Sequence, residues 1–151
     1  MSDQAVTNST CLIGLQRIGQ LDILPQVFPV VFAPEAVESE FGIKPSWLRV
    51  QAVQNTEFVK VFQNQMHIGE AEAIVLAMEL KDVAIILDEK KARAAAKKIG
   101  LQVIGTVGML LRGKKRGVIS EVKPLLRELQ AKGFRMTEAL IMDAVQLAGE
   151  E

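Results

Sequence analysis

Between Gly69 and Arg93 the chain reads GEAEAIVLAMELKDVAIILDEKKAR. An alanine-rich helix opens on two glutamates, a short apolar strand follows, and Asp88-Glu89 stand at the strand's exit. A strand this short needs no acid for solubility. An acid at its C-terminal end stands where open α/β sheets bind ligands. The helix runs antiparallel to the strand after it, so the helix N-terminus and the strand C-terminus reach the same sheet edge. Glu70 and Asp88 are therefore expected together there.

The rest of the chain repeats this alternation. Strands are predicted at Gln4–Thr7, Val30–Ala33, Trp47–Val53, Val83–Leu87 and Leu101–Ile104. Asn8, Ser9 or Thr10 caps a first helix that Gly19 stops. Leu21–Phe28 is a short helix broken by Pro25, and Pro34 opens a helix over Glu35–Phe41. Further helices are expected at Thr56–Gln63, Glu70–Leu80 and Glu89–Ile99, from about Met109, at Ser120–Lys132, and from the Thr137 cap to Ala148. Strands alternating with helices at this spacing imply an α/β domain, a parallel sheet with helices on both faces.

The 151 residues correspond to one domain, 1–151, and 49% apolar residues supply one core. Cys11 is the sole cysteine, which excludes an intrachain disulfide. No basic-then-apolar leader starts the chain and no apolar run nears the roughly 18 residues of a membrane span, so a cytoplasmic protein is expected, without membrane association. Net charge is zero, but Lys90 to Arg116 holds nine basic residues and no acid. Such a block beside acids suits a protein handling a polyanion; two solvated helix faces are the plainer alternative.

Glu40 lies four residues from Ala36 and three from Val37, so it borders a buried helix face. With Glu70, Asp88 and Asn8, three carboxylates and one amide would converge. Packed like charges are costly unless a cation neutralises them. An all-oxygen set suits Mg²⁺ or Mn²⁺, ions that activate water in phosphodiester cleavage. Each residue also has a plainer reading. Glu70 and Glu72 favour a helix N-terminus, Asp88 caps the next helix, and Glu40 is half-exposed. His67 reads as a loop residue, Cys11 as a packed thiol, and Gly105–Gly108 as a turn.

The blocks NSTCLIGLQRIGQLDIL, FAPEAVESEF, IGEAEAIVLA, IILDEKKAR and VIGTVGMLL resemble a PIN domain, and more closely its DUF3368 branch, related to toxin ribonucleases of two-component toxin–antitoxin modules. The resemblance covers nearly the whole chain. It implies a three-layer α/β/α fold with about five parallel strands, and acids around Mg²⁺ or Mn²⁺ that cut single-stranded RNA. By motif, the catalytic acids are Glu40, Glu70 and Asp88. The wider metal set adds Asn8, Glu72 as the alternate to Glu70, and Glu89. The first strand of most PIN nucleases ends in aspartate; Asn8 stands there in this chain, which removes one negative charge. Lys90, Lys91 and Arg93, directly after Asp88, would hold RNA phosphates. The function expected is a metal-dependent, toxin-like endoribonuclease. The alternative is a degenerate PIN module that binds RNA or a protein partner without cutting. A homodimer and a small antitoxin partner belong to the same expectation.

Overall fold

The computed structural model describes residues 1–150. Five strands form one parallel sheet in the order β3-β2-β1-β4-β5. They are β1 (Gln4–Val6), β2 (Val30–Ala33), β3 (Leu48–Val50), β4 (Ala84–Ile86) and β5 (Gln102–Ile104). The central strand β1 and its neighbour β4 are apolar on both sides because both sides are covered. Ala5, Ala84 and Ile86 join the core on one face, and Val6, Ile85 and Leu87 join the core on the other. That alternation follows from the two-residue period of a strand.

The first face carries α1 (Ser9–Arg17), α2 (Ile23–Val27), α3 (Glu35–Phe41), α7 (Thr106–Lys115), α8 (Lys123–Ala131) and α9 (Glu138–Leu147). The second carries α5 (Ile68–Leu80) and α6 (Lys90–Lys98), with α4 (Thr56–Gln63) laid on α5 through Val59. The result is the three-layer α/β/α arrangement. Burying each large side chain, such as Leu12, Ile74 or Ile85, contributes about 2 kcal/mol.

Several helix boundaries differ from those expected, for local reasons. Helix α2 is not broken by Pro25, which falls in its first turn, where a missing N–H removes no helical bond. Helix α5 starts at Ile68 rather than Glu70 because His67 is its N-cap. Helix α7 starts at Thr106 rather than Met109, since Asp88 receives the Thr106 N–H. Helix α8 starts at Lys123, three residues later than expected, with Pro124 just inside its start.

Candidate functional site

In a parallel sheet every strand delivers its C-terminus to the same edge, where the next helices begin. Four side chains gather there. Asn8 follows β1, Asp88 follows β4, Thr106 follows β5, and Glu40 reaches in from α3.

Asn8 is the N-cap of α1. Its Oδ1 accepts from the Cys11 N–H at 3.0 Å, and its Nδ2 donates to Asp88 Oδ2 at 3.0 Å. The orientation of the amide is forced: only the oxygen can accept from Cys11, so the NH₂ must face Asp88. Asp88 receives two more bonds, from the Thr106 N–H to Oδ1 at 2.8 Å and from the Thr106 hydroxyl to Oδ2 at 2.9 Å. It thus caps α7, not the helix that directly follows it. Thr106 is fully buried, so its hydroxyl depends on this carboxylate.

Glu40 accepts the Ser9 hydroxyl and lies over Gly69, where a Cβ would stand 3.5 Å from its Oε1. Glu70, in the first turn of α5, turns back to its own N-cap and accepts from the His67 N–H at 3.3 Å. Burial pushes the Glu70 carboxyl above its ordinary range, and the charges of Glu89 and Glu40 push it the same way; the bond from His67 opposes them. Glu89 and Lys91 line a cavity of about 300 Å³ that Glu70 shares.

In this neighbourhood Asn8 is bonded to Asp88, and Glu70 feels the charges of Glu89 and Glu40, but each of Glu40, Glu70 and Asp88 is turned to a donor of its own. Among the described residues no three Asp, Glu, His or Cys side chains stand close enough to hold a metal ion. Glu72 is outside the neighbourhood. Its Oε1 accepts from the Ala36 N–H at 3.0 Å and caps α3, whose N-cap Pro34 has no side-chain acceptor. Arg93, expected to hold phosphate, commits one of its five donors to the fold. Its Nη1 donates to the Leu87 carbonyl at 2.9 Å and lies against Gly105, where a Cβ would stand only 2.9 Å away. Arg93 braces the ends of β4 and β5, and Gly105 leaves it room. Lys90 and Lys91 stay exposed, on the larger and smaller cavities respectively. The Cys11 thiol is pushed up to about 12, by burial first and then by the Asp88 charge, so it is an inert packed group.

Beside Asp88 opens a larger cavity of about 550 Å³ between α1 and the α8–α9 connection, lined by Arg17, Lys90, Lys132, Phe134 and Arg135. Four of these five lie outside the block read from sequence as the phosphate grip. Thr106 was also missed, because acids rather than hydroxyls were sought after each strand. A hydroxyl in the first position after a strand and its turn was the available signal.

A family model described as DUF3368: PIN domain matches residues 4–150. The chain belongs to this PIN-domain family. It is accordingly a nuclease-like domain, of a class that typically uses divalent metals. No curated protein matches the sequence. No helix of this PIN domain, among the described residues, is long and apolar enough to cross a membrane.

The donor set of the PIN domain does not fit a resident Mg²⁺ or Mn²⁺ as it stands. Hard cations take charged or carbonyl oxygens. Here the Asn8 oxygen is held by Cys11, and the amide directs N–H donors at Asp88. Of the roughly four lone-pair positions of the Asp88 carboxylate, three already accept hydrogen bonds.

Proposed function

We propose that this PIN domain holds single-stranded RNA without cutting it. The observation that carries this reading is the Asn8–Asp88 hydrogen bond. An aspartate there would offer a second anionic oxygen to a cation; the amide offers a donor and keeps Asp88 in a neutralising network. Lys90 and Lys91 supply phosphate contacts beside this edge, so binding would be mainly electrostatic and would weaken steeply with salt.

A second reading, the metal-dependent endoribonuclease of toxin type acting through Glu40, Glu70 and Asp88, draws on one observation. The crowding of Glu70 by Glu89 and Glu40 is what a bound cation would relieve. One experiment separates the two. Native protein and Asn8→Asp are incubated with labelled single-stranded RNA and Mn²⁺. The first reading expects the native protein to bind and leave the RNA intact, and Asn8→Asp to gain Mn²⁺ affinity in calorimetry. Mn²⁺-dependent cleavage by the native protein, lost in Asp88→Asn, overturns it in favour of the second.

The homodimer and the small antitoxin partner form part of this proposal. Helix α9 supports them by exposing Leu140 and Leu147, seven residues apart on one side of the helix, beside the stripe that its own core uses.

A further inference from the structure

The cavity between α1 and the α8–α9 connection combines two features that the acidic edge lacks. The first is unneutralised positive charge. Arg17, Lys90, Lys132 and Arg135 line it, and none of them enters an ion pair among the described residues. Arg17 is held in place rather than loose: its Nη1 donates to the Lys132 carbonyl at 3.3 Å, at the end of α8. With Asp88 and Glu89 at one end, the cavity carries a net positive charge and an internal polarity.

The second feature is a fixed aromatic ring. Gly133, at φ 98°, turns the chain back so that Phe134 returns to α1. Its N–H donates to the Leu129 carbonyl at 2.9 Å. The ring lies on Gly14 so closely that a Cβ there would stand 2.9 Å from Phe134 Cδ2. Gly14 thus lets an aromatic ring settle against a helix backbone, packed on the core, and still line a cavity, where part of it stays exposed.

We propose that this cavity is a nucleotide subsite, which takes one base of the strand against Phe134 and its flanking phosphates on Arg17, Lys132 and Arg135. The proposal rests on the reading of the domain as a holder of single-stranded RNA. A positive lining alone would suit any anion, and an aromatic floor alone would suit any apolar group. Together they suit a planar base joined to phosphate. The volume of about 550 Å³ lies within the range that small-molecule sites occupy. The two acids set the direction. Phosphate is repelled from the Asp88–Glu89 end and drawn to the α8–α9 end, so the strand leaves the acidic edge along the basic side.

The test uses the full chain in two measurements. Fluorescence anisotropy of a labelled single-stranded octaribonucleotide compares native protein with Phe134→Leu, with Lys132→Gln/Arg135→Gln, and with Lys44→Gln as an exposed control that lines neither cavity and lies outside the basic block. Loss of base stacking predicts a fall of about tenfold for Phe134→Leu. The double variant is expected to lower the salt slope by roughly two phosphate contacts. The control stays at native affinity. Circular dichroism checks that each variant is folded. Native binding with unchanged affinity in both cavity variants overturns the subsite and leaves the strand-holding reading intact. The second measurement follows the Phe134 ring resonances as cytidine monophosphate or ribose 5-phosphate is added. A shift with the nucleotide and a much weaker one with the sugar phosphate supports the subsite even if the oligonucleotide fails to bind, an outcome that overturns only the strand-holding reading. Equal response to both, or none, overturns the subsite.

Discussion

At the sheet edge Asp88 accepts three hydrogen bonds, from Asn8 and twice from Thr106, and Glu40 and Glu70 each have a donor. In the cavity that opens beside it, Arg17, Lys90, Lys132 and Arg135 enter no ion pair among the described residues. The first region is satisfied from within and the second is not. Buried polar groups must be paired for the fold to be stable, whereas exposed charges can wait for a ligand. Substitutions at Asp88 and its buried donors should therefore cost stability, and substitutions of the cavity cations should cost binding.

The largest effect is expected from Asp88→Ala. It leaves the buried Thr106 hydroxyl, the Thr106 N–H and the Asn8 amide without their acceptor, so about 3 kcal/mol of stability should be lost. Urea unfolding measures it, and a loss comparable to that of an ordinary surface substitution would break the contrast. Gly14→Ala comes next. The added methyl meets the Phe134 ring and Leu129, which must shift, for about 1–2 kcal/mol and a matching loss of oligonucleotide affinity.

Glu70→Gln sharpens the picture in the other direction. The folded carboxyl is raised, by burial first, so its ionised form weakens the fold at neutral pH, and that penalty fades as pH falls through the raised value toward the unfolded one. Glutamine removes the charge and can still accept from the His67 N–H. A small rise in melting temperature is expected at pH 7, shrinking toward none near pH 4, and thermal unfolding across that range reads it. A drop at pH 7 would mean that the charge is favourable where it stands. The smallest effect belongs to Lys132→Gln/Arg135→Gln. With no ion pair to lose among the described residues, stability should stay within about 0.5 kcal/mol of native.

The division between what was legible and what was not follows how local each cause is. Short apolar runs set all five strands, and their alternation with helices made the sheet parallel, because these signals lie within a few residues. The acids after β4 and at the start of α5 were legible because strand direction alone sends them to one edge. Which acid faces that edge was not legible. Glu70 and Glu72 are two residues apart, yet a helix turns them to different neighbours, His67 and Ala36.

The chain's own order of residues determined the layered scaffold, the family and the edge where polar groups collect. Tertiary structure alone decided where each hydrogen bond goes: the Asn8 amide turned by Cys11, and Arg93 drawn to a backbone carbonyl. It also assembled Arg17, Lys90, Phe134 and Arg135 around one cavity from three distant segments. The physical reason is range. Hydrophobic periodicity acts along the chain, whereas a hydrogen bond or a charge answers to whatever the fold brings within a few ångströms.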